Sequence, residues 1–530
     1  MPAPRFLLFP LLVLLALPAL AGPISAYLAK DYPARITRVE VAAETITLRF
    51  DLPPGLTEVE LGAFAFHQNP AKGEAPLASH PLPSRHMTIP RYPQGSAGPD
   101  RLLTRWQLGQ WKDGQSWQPL SSARYADVFP SQNPELPDLK PRSKKGLGGW
   151  IPVVGPASDL DELGIASLTW NILLHNLLAP KSGPHTEPFT WQGQTYHARL
   201  DVLAQHDRAL RAAYEREIVV DAILLLPPPS REGADSLTRL LGHPDCEPGA
   251  HYAMPNMNDP SAVAHYGAAL HLLATRYSRP DGRFGRIHHY IVHNEVDFGH
   301  EWTNCGHKAL PEFFELYHRS LRLVNLVTRS QNPPARPFIS LTHHWAQPGH
   351  PRGYGSRALL LELQKWTAAE GDFPWALAFH PYPANLRNPR TWEDPVGDDF
   401  NSAKITPKNI AVLDRWMKTP AMRDAEGRYR PVHLSENGCN SPDYSPASLH
   451  DQAAGTAFAW KSIQDLETIT SWHNHRWFDH RREGGLRLGL RRFPDDDREP
   501  LGKKPVWHLY RALGSEHEAR ACAPFAEILP

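Results

Sequence analysis

The chain has 530 residues, enough for a large hydrophobic core and, at ~150 residues per domain, for two to four domains. Its 56 Lys and Arg residues balance its 56 Asp and Glu residues, which argues against a nucleic-acid-binding or membrane-surface protein. Pro is abundant at 54 residues, but 41% of the chain is hydrophobic, so the composition indicates an ordered protein with many loops.

The first 21 residues have the pattern of a cleavable signal peptide. Arg5 precedes an apolar run over 6–17, and Ala-Leu-Ala at 19–21 is a small-x-small cleavage site. A membrane anchor is the alternative, but an anchor needs ~20 apolar residues and two prolines interrupt this run. We expect a secreted or periplasmic protein, cleaved near Ala21, with no membrane span elsewhere.

The pattern of residues 22–141 predicts a small all-β unit. Apolar and polar residues alternate at 46–50 and again at 59–63, a period of two that indicates strands with one buried face. Clusters of Pro and Gly separate these stretches, and no long helical pattern interrupts them. We therefore expect a β-sandwich-like domain ahead of the main domain.

Over residues 142–530, strand patterns alternate with helical ones. The stretch 218–226 is almost entirely apolar, as in a strand buried on both faces. Eight strands, each followed by a helical pattern, predict an α/β protein with a (β/α)8 TIM barrel. A doubly wound open sheet is the alternative, but no GxGxxG motif follows a first strand. The predicted strands are 146–154, 165–174, 218–226, 286–295, 338–342, 375–379, 431–435 and 468–472, and the predicted helices are 158–163, 200–216, 261–277, 311–328, 357–369, 409–417, 449–463 and 505–513.

Two glutamates lie where the fourth and seventh predicted strands end. The fourth strand ends in Asn294-Glu295, and the seventh continues into Glu436-Asn437. In barrels of this kind the active site lies at the C-terminal ends of the strands, so both carboxylates arrive at one face. Glycosidic bond cleavage needs such a pair: one carboxyl protonates the leaving oxygen, and the other attacks the anomeric carbon or activates water. Pairing with an Arg in a structural network is the alternative for each Glu.

These two strand ends resemble the clan A glycoside hydrolases, whose catalytic glutamates lie on strands four and seven. In that superfamily the acid/base follows an Asn, which matches Asn294-Glu295, and the nucleophile often stands in a Glu-Asn-Gly context, which matches Glu436-Asn437-Gly438. The resemblance implies that Glu295 is the acid/base, that Glu436 is the nucleophile and that Asn294 binds the sugar 2-hydroxyl.

The resemblance extends to strands six and eight. A His-x-Tyr on strand six is frequent in the superfamily and occurs here as His380-Pro381-Tyr382, which implies that Tyr382 donates to the nucleophile. An aromatic residue on strand eight usually forms the floor of the sugar site, a role that falls to Trp472 or Trp477. The segments HNEVDFG and HNHRWFDH depart from the best-known families, so the chain would belong to a branch known mainly as a domain of unknown function.

Further polar and aromatic side chains fall near predicted strand ends, where they would line a sugar-binding cleft. Aromatic faces stack on sugar rings, and imidazoles and amides hydrogen-bond sugar hydroxyls. Core packing is the alternative for the tryptophans, and an ordinary loop position is the alternative for the histidines. The candidates are Asn171, His175, His343, His344, Trp345 and Asn437, with Trp170, Trp302 and Trp392 nearby.

The four cysteines, an even number, permit two disulfides in an exported protein. Cys246 and Cys305 lie in the loops after strands three and four, which are neighbours at the barrel mouth, so we expect a disulfide between them. Cys439 would fix the loop after Glu436 to another segment, and Cys522 is the remaining candidate.

No metal or cofactor is expected, because the sequence has no CxxC or HExxH motif. The alternative is a zinc site built from His473 and His475 with one of His343, His344 or His380. Such a site would make the chain a metal-dependent hydrolase.

The sequence thus predicts a retaining glycoside hydrolase that acts on a β-linked poly- or oligosaccharide. A non-catalytic glycan-binding protein on the same scaffold is the alternative from another class. The expected partner is a carbohydrate substrate and not a nucleic acid.

Overall fold

The computed structural model of the protein describes residues 22–93, 95 and 98–530. The predicted signal peptide, residues 1–21, lies outside the described residues, so export remains a prediction. Among the described residues, every helix is too short or too polar to span a lipid bilayer.

The N-terminal region contains one short helix and two small antiparallel sheets. One sheet has the order β1-β2-β5 and the other β4-β3-β6-β7. The strands of both sheets alternate between apolar and polar residues. In β2 the apolar residues are buried, while the polar residues between them are more exposed. The elements are α1 (Pro23–Ala29), β1 (Arg35–Val41), β2 (Thr45–Asp51), β3 (Glu60–Phe64), β4 (Ala78–Pro81), β5 (His86–Pro90), β6 (Arg105–Lys112) and β7 (Ser116–Pro119).

Eight parallel strands close into a barrel in the order β13-β14-β15-β16-β17-β18-β8-β9. This confirms the predicted TIM barrel and excludes the open sheet. The remaining three strands, β10 to β12, form a separate antiparallel sheet that the sequence pattern did not predict. The strands are β8 (Lys145–Gly148), β9 (Ser167–Leu173), β10 (Leu178–Ala179), β11 (Thr186–Trp191), β12 (Gln194–Arg199), β13 (Val219–Leu225), β14 (His289–Val292), β15 (Pro337–Thr342), β16 (Ala376–His380), β17 (Val432–Asn437) and β18 (Ile469–His475).

Helices surround the barrel, and several begin at a clear local signal. The side chain of Asp259 accepts a hydrogen bond from Ala262 N at the start of one long helix, and Ser445 caps another; both caps precede a proline at the first helical position. The helices are α2 (Ser158–Glu162), α3 (Leu200–Tyr214), α4 (Ser236–Leu241), α5 (Pro260–Tyr277), α6 (Gly299–Trp302), α7 (Leu310–Arg329), α8 (Ser356–Glu370), α9 (Ala411–Met417), α10 (Pro446–Ile463), α11 (Pro505–Ala512) and α12 (Glu518–Cys522).

The barrel interior is unusually polar below its mouth. His433 of β17 and Asp221 of β13 form a buried hydrogen bond of 2.6 Å, and His473 Nε2 of β18 lies 3.8 Å from the same carboxylate. Ser471 of β18 lies 2.5 Å from Ser167 of β9, Oγ to Oγ. The residues of β18 with odd numbers therefore face into the barrel, and this parity decides which of its side chains reach the mouth.

The N-terminal region packs against the outer face of helices α7 and α8. Glu370 at the end of α8 is fully buried; its Oε1 accepts from Tyr27 at 2.8 Å and from Arg105 at 2.6 Å. Arg319 of α7 donates to the backbone oxygens of Phe66 and His67. The domain thus braces the barrel through its helices.

Candidate active site

The structure brings the two predicted glutamates together at the C-terminal mouth of the barrel. Glu295 follows the end of β14, and Glu436 is the second-last residue of β17. One carboxylate oxygen of each, together with a ring nitrogen of His380, lies within 4.8 Å of the others. The side chains of Glu295 and Glu436 are 13% and 16% exposed, so both are largely desolvated but still reachable from the mouth.

The backbone after β14 makes a sharp turn that aims Glu295 at the mouth. His293 and Glu295 both adopt left-handed conformations, with φ of 65° and 39°. Such conformations cost about 1–3 kcal/mol each in a residue other than glycine, and they cluster at functional sites. Glu295 N donates to Ser340 Oγ of β15 at 3.0 Å, which holds this turn to the neighbouring strand.

His380 lies between the two acids. Its Nδ1 is 2.8 Å from Glu295 Oε1 and 3.8 Å from Glu436 Oε2, and its Nε2 is 3.0 Å from Ser435 Oγ. Burial lowers the pKa of His380; Glu436 opposes this shift and His475 adds to it. The imidazole is therefore neutral at neutral pH. Its two nitrogens connect the Glu295 carboxyl to the Ser435 hydroxyl, which fixes the carboxyl in position.

The Glu295 side of the site favours a protonated acid. Burial raises the pKa of Glu295 to about 8; Glu301 adds to the shift and His475 opposes it. A second acid, Asp297, accepts hydrogen bonds from Thr342 N and Oγ1, and burial raises its pKa to about 7. Glu295 therefore carries a proton at neutral pH, as a general acid must.

The Glu436 side of the site carries positive charge. Tyr382 OH lies 3.5 Å from Glu436 Oε2. Behind it, His475 Nε2 is 3.8 Å from Glu483, whose carboxylate also pairs with Arg476 at 2.6 Å. Burial opposes the protonation of His475, but Glu436 and Glu483 outweigh it and raise its pKa. Glu436 therefore faces a phenolic donor and a histidine whose protonation its own charge favours.

Aromatic side chains lie together in the loops after β13 and β14. The rings of His251 and Trp302 stack at 4.4 Å, and Tyr252 lies 6.1 Å from Trp302. Tyr252 packs against the barrel cluster that contains Ile223, and burial followed by the charge of Glu436 raises its pKa. Tyr252 was not among the predicted site residues, because no strand pattern brings residue 252 to the mouth.

Other predicted residues also lie at or near this mouth. Asn294 is buried beside Glu295, and no described residue pairs with its Oδ1, so its predicted role at the sugar 2-hydroxyl remains a prediction. His343 and His344 follow β15, with ring centroids 4.3 Å apart. Asn171 is exposed on β9, and His175 is half-buried in the turn after that strand.

Three of the predicted cleft tryptophans, Trp345, Trp472 and Trp477, do not reach the cleft, which corrects the prediction. Trp472 has even parity on β18, so it points outward and stacks on Tyr510 at 5.4 Å. Trp477 is fully buried and donates to Asp159 Oδ2 at 2.6 Å. Trp345 is fully buried and donates to Phe400 O at 3.0 Å. His475 occupies the inward position at the end of strand eight instead.

The predicted sugar contact of Asn437 is also wrong, because its side chain is buried and donates to His473 O at 2.7 Å, where it ties β17 to β18.

The predicted disulfides are absent, since all four cysteines are free thiols. The thiols of Cys246 and Cys305 face the carbonyl oxygens of the residues that follow them. Cys439 packs against Gly455 of α10, and Cys522 lies at the end of α12, so neither lies beside a partner thiol.

The predicted zinc alternative does not assemble from the residues proposed for it. His473 lies inside the barrel, with its Nε2 2.6 Å from Ser471 Oγ, and it does not share a ligand cluster with His475. Within the described ranges, the one group of three potential ligands with mutual distances under 4.8 Å is Glu295, His380 and Glu436.

Comparison with known proteins gives one family match. Residues 137–530 match the model of DUF5722, described as a family of unknown function. No curated protein sequence matches the chain. The family match agrees with the expectation of a branch known mainly as a domain of unknown function.

The fold is similar to solved glycoside hydrolases at low sequence identity. A family 39 glycoside hydrolase from Bacteroides cellulosilyticus WH2 aligns at 13% identity with a TM-score of 0.47, over 92% of this chain and 81% of that one. An exo-β-1,4-mannosidase from Opitutaceae bacterium strain TAV5 aligns at 15% identity and 0.43, over 74% and 62%. A family 1 β-glucosidase from Thermotoga maritima aligns at 12% and 0.42, over 67% and 84%.

Proposed function

The chain belongs to DUF5722, and we propose that it is a glycoside hydrolase that cleaves a β-linked poly- or oligosaccharide with retention of configuration. The observation that carries the proposal is the spacing of the two acids, with carboxylate oxygens within 4.8 Å of each other. Retaining enzymes hold their carboxyl groups ~5–5.5 Å apart, whereas inverting enzymes need ~6.5–9.5 Å to admit a water molecule between acid and sugar.

The two acids have different neighbours, and we assign their roles from that difference. The Glu295 carboxylic acid gives its proton to the glycosidic oxygen while the Glu436 carboxylate attacks the anomeric carbon, so the leaving group departs as an alcohol and a glycosyl ester forms. The Glu295 carboxylate then takes a proton from water, whose oxygen displaces Glu436 from the sugar. The raised pKa of Glu295 and the Tyr382 hydroxyl near Glu436 support this assignment.

The direct test is turnover of a panel of plant, algal and bacterial polysaccharides and of aryl β-glycosides, with the first product followed by ¹H NMR. We expect the β anomer to appear first and to mutarotate later. An α anomer as first product contradicts retention. Glycan binding without turnover of any member would instead indicate a non-catalytic glycan-binding protein.

A metal-dependent hydrolase is the second candidate, and one observation favours it. Glu295, His380 and Glu436 are close enough to bind one divalent cation. Both carboxyls must be deprotonated to bind the cation, so binding would displace the proton of Glu295. Activity that EDTA removes and a single divalent cation restores would favour the metal-dependent reaction.

We also propose that the protein is exported, on the signal-peptide pattern of residues 1–21. Expression of the full chain should yield a mature protein whose N-terminal sequence begins near Gly22. Retention of the intact N-terminus in the cytoplasm contradicts export.

A further inference from the structure

A group of basic side chains lies beside the catalytic pair without a role in the mechanism above. The segment 402–405 runs next to 343–346: Ile405 N donates to His343 O at 2.9 Å, and Trp345 N donates to Ala403 O at 2.9 Å. His344 and Lys404 form the antiparallel bridge between these segments, so their side chains start from the same face. We call His343, His344 and Lys404 the basic cluster.

The basic cluster borders the catalytic centre on two sides. Burial lowers the pKa of His343, and the charges that lower it further are His344, Lys404 and His380. His380 is the residue that contacts Glu295 and lies beside Glu436. Lys404 Nζ donates to Ala384 O at 2.9 Å, two residues beyond Tyr382. Thr342, the residue before His343, pairs with His380 across β15 and β16, so the cluster begins beside the site of the two glutamates.

The cluster has unused hydrogen-bond donors. His343 is buried, and no described residue pairs with its Nδ1. An ammonium group has three donors, and the hydrogen bond to Ala384 uses one of them. Burial lowers the pKa of Lys404 and Asp394 opposes this shift, but Asp394 Oδ2 accepts from Ala384 N and Thr391 Oγ1 and forms no ion pair with the lysine. A half-buried ammonium without an ion-pair partner and a buried imidazole with an unpaired nitrogen would both gain from a ligand that supplies acceptors.

We infer that the basic cluster binds an anionic substituent, a carboxylate or a sulfate, on the sugar that the catalytic pair cleaves. This inference rests on the proposed function and narrows its substrate class to anionic β-linked polysaccharides. A neutral hydroxyl would satisfy the donors of the cluster but would leave the charge of Lys404 uncompensated, whereas an anion satisfies both.

The test compares matched pairs of 4-methylumbelliferyl β-glycosides that differ only at C6: glucoside with glucuronide, galactoside with galacturonide, and galactoside with galactoside 6-sulfate. We expect a higher kcat/KM for the anionic member of the pair whose sugar fits. The ratio of anionic to neutral kcat/KM should fall about tenfold to a hundredfold in Lys404→Met, since a hydrogen bond to a charged group contributes about 1.5–3 kcal/mol. The favoured pair distinguishes carboxylate from sulfate.

The matched control is Lys365→Met, which removes a lysine from the outer face of α8, where it pairs with Glu362. It should leave every ratio unchanged. Preference for the neutral members, or an equal loss on both members in Lys404→Met, overturns the inference.

If no glycoside is turned over, the proposed function fails and binding decides the inference separately. Isothermal titration then compares glucuronate, galacturonate and galactose 6-sulfate with glucose and galactose on the wild-type protein. Anion binding that Lys404→Met removes and Lys365→Met retains supports the cluster as an anion site. Equal binding of neutral and anionic sugars, or binding of neither, overturns it.

Discussion

A glutamate stands at the end of both the fourth and the seventh strand of the barrel, but the two side chains have different neighbours. Glu295 contacts a neutral imidazole, and burial with a nearby acid raises its pKa to about 8. Glu436 faces the Tyr382 hydroxyl and His475, whose pKa is raised. Two identical acids with oxygens within 4.8 Å of each other thus stand in different surroundings. The chemistry open to each acid therefore depends on its neighbours more than on the carboxyl group itself.

The largest effect should follow from removing the attacking carboxylate. Glu436→Gln keeps the shape but not the nucleophile, so kcat on an activated aryl glycoside should fall at least about 10³-fold, with an unchanged far-UV spectrum and Tm. Glu187→Gln, an exposed change on β11, is the control and should be fully active. Substantial activity in Glu436→Gln would remove Glu436 from the role of nucleophile.

Removing the acid should have a smaller effect that small nucleophiles partly reverse. Glu295→Ala should lower kcat about 10²- to 10⁴-fold on substrates with poor leaving groups, and azide should restore turnover by forming a β-glycosyl azide. In the wild type kcat/KM should fall as the pH rises through about 8, because Glu295 loses its proton there. A variant that retains this basic limb would show that another group donates the proton.

The positive charge behind Glu436 can be tested alone. His475→Gln removes a group whose pKa is raised by Glu436 and Glu483, so kcat/KM on an aryl glycoside should fall about tenfold or less. The measurement is kcat/KM of the variant and of the wild type at the pH optimum. An unchanged kcat/KM would mean that the charge behind Glu436 does not contribute to turnover.

The smallest expected effect is that of metal removal. Double displacement by Glu295 and Glu436 needs no metal ion, so dialysis against EDTA should leave kcat/KM within experimental error. The check is activity before and after dialysis, with Mg²⁺, Mn²⁺ and Zn²⁺ added back separately. Loss of activity that a single cation restores would show that the two acids bind a metal ion together.

The sequence predicted the barrel and the meeting of Glu295 and Glu436 at its mouth because their signals are local. Strand and helix periods alternate over 142–530, and each glutamate stands beside an Asn at a strand end. The limits of some strands were wrong: the first ends at Gly148 rather than 154, and the eighth continues to His475. Glycines and polar residues at these ends obscure where pairing stops.

The surroundings of the acids were harder to predict, since they depend on parity and on loops. The pattern of β18 placed a tryptophan at the mouth, but the inward positions belong to residues such as His475, so Trp472 packs against Tyr510. Glu483 and Tyr252 reach the site from long loops, where no periodicity indicates direction. Whether the odd or the even residues of a strand face the barrel interior depends on its register with the neighbouring strands, and the sequence of one strand does not reveal that register.

The buried contact of Glu370 with Tyr27 and Arg105 affects how the protein unfolds. A barrel that lost residues 22–141 would lose the two hydrogen bonds to Glu370 and would expose Trp366 of α8, which is buried against Tyr27. Unfolding of either unit alone would therefore expose buried surface of the other. Scanning calorimetry should show a single heat-absorption peak whose van't Hoff and calorimetric enthalpies agree.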